Sequence, residues 1–184
     1  FTSSEAEMDA VLSSLAKTYR IVAPRRSGRT GSKGQELIRF GEISSVREIV
    51  ADRQSDFSAK EIYNPIVQTM FFFEGSDSRE NIVQEERPTL IIAHPCDINA
   101  IRRLDSIYLK NGLPDAIYAR RRRHIQFILL ECGQSFENCT CVSMCSNRAD
   151  DYAAAIRLRD GRCWIEVRSG ELLDAFSTLT ETDF

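Results

Sequence analysis

The chain is short of several things that would have announced a function. It has two histidines in 184 residues, His94 and His124, and neither has an acid pair beside it, so a hydrolytic triad or a histidine-rich metal site is hard to build. No apolar run approaches the roughly 18 residues that a membrane span needs. No basic surplus is present either: the net charge is -3 and the isoelectric point near 5.5, which argues against a dedicated nucleic-acid binder. The glycine-rich basic stretch Arg25 to Gly34 lacks the Gly-Lys-Ser/Thr order of a phosphate-binding loop and the spacing of a dinucleotide fingerprint, and reads as a flexible hairpin connection. The start at Phe1 has no apolar core of a secretory signal, so a reducing, cytoplasmic setting is expected.

Cysteine, by contrast, is concentrated. Four of the six, Cys132, Cys139, Cys141 and Cys145, fall within fourteen residues directly after an apolar run, and Cys96 closes another apolar run at Thr89 to Ala93. In a reducing compartment such crowding points to metal binding or redox chemistry rather than to disulfides. The spacing is neither the paired Cys-x2-Cys of common structural zinc sites nor the Cys-x2-Cys-x2-Cys run of bacterial ferredoxins, so the residues alone leave an iron–sulfur cluster, zinc and a thiol redox pair, Cys139 with Cys141, all open. Asp97 is expected to cap a helix that starts at Cys96, and backbone N–H groups there would favour a thiolate. His94 reads as a satisfied core imidazole or a spare ligand; Cys145 could replace another thiol; Cys163, in a strand, reads as a small hydrophobe.

The remaining pattern predicts an α/β domain, a mixed sheet with a βα crossover and a C-terminal β-hairpin. Ser4-Glu5-Ala6-Glu7 forms a capping box that opens an amphipathic helix over 4–18, and a second box at Ser58 opens a short helix. Strands are expected at 19–24, 36–40, 90–93 and 125–131, with helices at 97–110 and 114–122 between the last two. Ile98, Ile101, Leu104 and Ile107 give the first of these helices a face for the sheet. Met70 to Phe73 is expected to be buried on both faces, in the core or at an interface. Asp160-Gly161 between 154–159 and 162–167 is a hairpin signal, and a last helix lies near 171–176. The run Arg120 to His124 is either a helix end complementing the dipole or a docking patch for an acidic partner.

Taken together, the segment Arg87 to Asp105 with Pro95-Cys96-Asp97 inside it, Ala119-Arg120-Arg121, Ile128 to Cys132, and Cys139-Thr140-Cys141-Val142-Ser143-Met144 resemble the amino-terminal part of the A subunit of anaerobic sulfite reductase. The wider family includes beta subunits of cytosolic sulfhydrogenases, and the resemblance extends over nearly the whole chain. It implies an electron-transfer subunit of a sulfite reductase complex, relaying electrons from an NADH- and flavin-handling subunit toward a sirohaem catalytic subunit, without a catalytic site of its own. It also implies one [4Fe-4S] cluster on Cys96, Cys132, Cys139 and Cys141, liable to loss from a fragment handled in air, with Asp97, Cys145 and His94 as secondary ligands. The family often has glycine where this chain has Cys145. Residues 1–184 would then be the amino-terminal domain of a longer iron–sulfur protein, with a sub-boundary near 75–87. The alternative is a scaffold, zinc-stabilised or metal-free, that docks partner subunits.

Overall fold

The computed structural model describes residues 1–81 and 87–182, so part of the expected sub-boundary near 75–87, residues 82–86, lies outside the described residues. In chain order the elements are β1 (Thr2–Ser4), α1 (Glu5–Leu15), β2 (Arg20–Thr30), β3 (Glu36–Glu42), β4 (Phe71–Glu74), β5 (Asp77–Glu80), β6 (Thr89–Ala93), α2 (Pro95–Lys110), α3 (Ala116–Arg122), β7 (Ile125–Leu130), β8 (Ala154–Arg159), β9 (Arg162–Val167) and α4 (Gly170–Phe176). Seven strands make one sheet in the order β1-β9-β8-β7-β6-β2-β3. Its centre, β8-β7-β6-β2, is parallel, and the flanking pairs β8-β9, β9-β1 and β2-β3 are antiparallel.

The parallel centre follows from composition. Thr89-Leu90-Ile91-Ile92-Ala93 is buried at every position, as a strand covered on both faces must be. Leu90 and Ile92 join Met8, Leu12, Leu172 and Phe176 on the α1/α4 face. Ile91 and Ala93 meet Ile98, Ile101 and Tyr118 on the α2/α3 face. The expected α/β class, the crossover through α2 and α3, and the closing hairpin are all present. Asp160 (φ 50°) and Gly161 (φ 70°) supply the left-handed pair that a two-residue turn demands. Ser4 caps α1 with a reciprocal bond from Glu7, as the sequence predicts.

Three local expectations change. Residues 25–30 continue β2 rather than forming a loop, because Arg25 and Arg26 pair with Arg39 and Ile38; an irregularity before Thr30, where Gly28 adopts φ 68°, absorbs the mismatch. The segment after Ser58 is a single 3-10 turn, Ala59–Ile62, with no box. Met70 to Phe73 is exposed, since β4 and β5 form a separate two-stranded sheet that no layer covers. On α2, Ile98 and Ile101 are buried, Leu104 is half-buried and Ile107 faces solvent. Among the described residues no helix is long and apolar enough to cross a membrane.

Candidate metal or redox site

Parallel pairing of Ala93 with Leu129 brings the C-terminal ends of β6 and β7 side by side. Sites in such sheets gather beyond those ends, and the cysteines do the same. Past β6 the chain runs His94-Pro95-Cys96 into α2; past β7 it reaches Cys132 and the cysteine loop. The Cys139 and Cys141 sulfurs lie 3.2 Å apart, and Cys96 and Cys132 are both close enough to Cys141 for its charge to raise their thiols. Cys141 thus lies near each of the other three residues expected as ligands.

Their protonation differs from the expectation at the helix start. Burial, then the charge of Asp97, pushes the Cys96 thiol up to about 12, so desolvation outweighs the favourable helix end. Cys132, although partly in solvent, is raised to about 11 by the desolvated groups around it and by neighbouring thiolates. Cys139 is lowered by the Cys141 backbone amide and by its pairing with the Cys141 thiol, and Cys141 is raised by the same pairing. Asp97 is not the cap of α2. His94 holds the N-cap position, and Asp97, in the first turn, donates its backbone N–H to the His94 carbonyl at 3.0 Å. Burial lifts its carboxyl to about 6.

That last shift has a measurable consequence. A carboxyl whose folded pKa lies above its ordinary value keeps its proton more firmly when folded, so its contribution favours the fold below pH 4 and is lost as pH rises through 6. Asp97→Asn in the metal-free chain is expected to remove that loss and add up to about 3 kcal/mol at pH 7, with no gain at pH 3.5. Urea unfolding across this range checks it; an equal gain at both pH values would contradict the assignment.

His94 is 2% exposed. Its Nδ1 lies 3.0 Å from the Leu130 carbonyl, to which it donates, and 3.2 Å from the Cys132 sulfur. Burial lowers its pKa, so the ring is neutral, and Nε2 is then a buried acceptor with no partner. The imidazole is therefore only half satisfied, and the ring of Phe136 meets it edge-on at 5.4 Å.

Cys145 ends the turn that the loop makes. Ser146 N–H donates to Cys141 O and Cys145 N–H to Val142 O, the paired bonds of a Schellman turn, with Cys145 left-handed at φ 52°. Glycine adopts that conformation freely, whereas cysteine does so at a cost. Cys163 is fully buried in β9, as expected. Sequence reasoning passes over Asn99, whose Nδ2 donates to Pro95 O at 2.9 Å and Arg148 O at 2.7 Å and so ties the exit of the cysteine loop to α2. Its one available signal was a poor helix former one turn after Cys96.

The donor set is all thiolate, which suits iron–sulfur clusters and zinc. Its spacing is that of thiols hydrogen-bonded to each other: among the described residues no group of three or more His, Cys, Asp or Glu side chains is arranged to hold an ion. Two thiolates on one zinc, with bonds of about 2.3 Å, stand about 3.8 Å apart, farther than Cys139 and Cys141 do. Filling the site requires that pair to separate, which an exposed loop permits more readily than a strand.

Sulfhydrogenase 2 subunit beta of Pyrococcus furiosus is 29% identical over 181 aligned residues, covering 92% of this chain and 50% of the relative. The chain is similar to a sulfhydrogenase beta subunit. The match is to a sulfhydrogenase beta subunit and does not single out the A subunit of anaerobic sulfite reductase. The chain spans about half the length of that curated relative. No protein-family model matches it, and no solved structure does.

Proposed function

We propose that the chain is an iron–sulfur electron-transfer module of a multi-subunit oxidoreductase, with Cys96, Cys132, Cys139 and Cys141 holding one [4Fe-4S] cluster. The observation that supports this best is the arrival of Cys96 and Cys132 from adjacent parallel strand ends at the loop that carries Cys139 and Cys141. In the finer form of the proposal the complex is an anaerobic, cytoplasmic sulfite reductase, and the module relays electrons from an NADH/flavin subunit toward a sirohaem subunit. A cluster bound here supplies one-electron exchange. The protein's part is to present four thiolates, to give up the firmly held protons of Cys96 and Cys132 during loading, and to hold the His94 ring against the Cys132 sulfur.

Anaerobic preparation followed by assay of iron, acid-labile sulfide and zinc tests the proposal. The expected result is iron and sulfide in equal amounts, with a broad visible absorption that bleaches on reduction. Stoichiometric zinc without sulfide overturns it in favour of a scaffold. The 3.2 Å contact between Cys139 and Cys141, with Cys139 lowered, favours a second reading as a dithiol redox pair. That reading predicts a metal-free protein in which Cys139 alkylates before the other thiols.

A further inference from the structure

The tip of the cysteine loop is unusual in leaving Val142 (77%) and Met144 (53%) open to solvent. Beside it lies a surface pocket of about 480 Å³, lined by Arg102, Arg103, Ser106 and Lys110 of α2 and by Met144 and Cys145 of the loop. Two acids also line this pocket, Asp105 and Asp151, but both are paired with Arg122, at 3.1 and 2.9 Å. Among the described residues no ion pair engages Arg102, Arg103 or Lys110. The outcome is a cluster of unspent positive charge on a protein of net charge -3, against an apolar tip only three residues beyond Cys141.

We infer that this surface, the outer side of α2 together with the tip of the cysteine loop, is the docking face for an acidic electron-carrier protein. The inference rests on the electron-transfer reading and names the partner's chemistry. Three features carry it. An apolar centre with a charged rim is the anatomy of a protein interface. Positive charge without an internal partner calls for a negative counterpart and speeds the encounter with one. The loop itself forms the contact, so a docked carrier sits against the candidate thiols rather than across the domain from them. Nucleic acid is the poorer occupant, because the field of the whole molecule is negative and the patch offers only three cations. The Arg120 to Arg123 run, to which the sequence drew attention, is not this face: Arg121 is buried and Arg122 is spent on two carboxylates.

The test uses the 184-residue chain in metal-free form, with a plant-type [2Fe-2S] ferredoxin as the acidic probe and binding isotherms at low and high salt. Arg102→Glu/Arg103→Glu is expected to lose roughly tenfold or more in affinity at low ionic strength, with the difference collapsing near 0.5 M salt, where the Debye length is only about 4 Å. Arg29→Glu/Lys33→Glu, the same change of charge on the β2–β3 hairpin, is expected to bind as the parent does. Arg103→Gln/Lys110→Gln, which cannot introduce repulsion, is expected to weaken binding less and in the same direction. Val142→Ser/Met144→Ser is expected to weaken it at both salt levels. Circular dichroism verifies the fold of each variant. The proposal is overturned if the parent does not bind ferredoxin, if the hairpin control loses as much as the α2 variant, or if a DNA duplex binds through Arg102 and Arg103 while ferredoxin does not. Binding is read without a cluster, so a chain that docks ferredoxin but never takes up iron refutes the relay and leaves the docking face standing; one that loads iron but ignores ferredoxin does the reverse.

Discussion

Cys96→Ser is expected to reduce iron and sulfide in the anaerobically prepared chain by tenfold or more, whereas Cys145→Gly leaves both unchanged. Serine matches cysteine in shape but offers a hard oxygen where a soft thiolate is needed, and Cys96 is the thiol supplied by a different strand from the other three. Its loss removes the candidate thiol that follows β6 while the Asn99 bonds between α2 and the loop exit remain. Cys145→Gly probes the opposite case. The residue sits left-handed at the end of a Schellman turn, so glycine there relieves about 1 kcal/mol of backbone strain and touches no candidate ligand. Iron and sulfide assays with visible spectra decide the matter. Undiminished iron in Cys96→Ser would refute the proposed ligand set, and loss of iron in Cys145→Gly would show that the fifth thiol takes part.

The largest effect on stability is expected at Arg122. Its guanidinium donates to both oxygens of Asp105 at 3.1 Å, to Asp151 at 2.9 Å and to the Ile125 carbonyl at 3.1 Å, and it lies 5.1 Å from the centre of the Phe127 ring. Arg122 and Asp105 are each about one-sixth exposed. Removing the arginine strands the Asp105 carboxylate with Tyr118 as its remaining hydrogen-bond donor. Breaking one side of a largely buried pair costs about 3 kcal/mol, so Arg122→Ala should lower the urea midpoint sharply. Arg120→Ala, two residues away and without such partners, should stay within about 0.5 kcal/mol. Equal effects for the two would mean that the run behaves as a uniform solvated helix end.

These contrasts mark where the sequence stopped being informative. Four adjacent arginines look alike in a linear string; only the packing of α3 against α2 and β7 turns one of them inward to three acceptors and leaves another at the surface. Met70 to Phe73 shows the converse. Hydrophobicity indicated burial, but burial needs a second layer, and among the described residues β4 pairs only with β5. Likewise the position of Cys96 at a strand-to-helix turn suggested a thiolate, a rule that holds while the thiol is hydrated and fails once its surroundings are desolvated.

By itself the sequence determined the α/β class, the crossover between β6 and β7, the Asp160-Gly161 turn and the identity of the clustered thiols, because each depends on local periodicity, turn chemistry or composition. The tertiary structure alone decided that Cys139 and Cys141 touch, that Cys145 sits left-handed at the end of a Schellman turn, that Asn99 fastens the loop to α2, and that Asp97 is a half-buried first-turn acid. Those outcomes depend on strand register and on the water excluded when layers pack, and neither quantity belongs to any one segment of the chain.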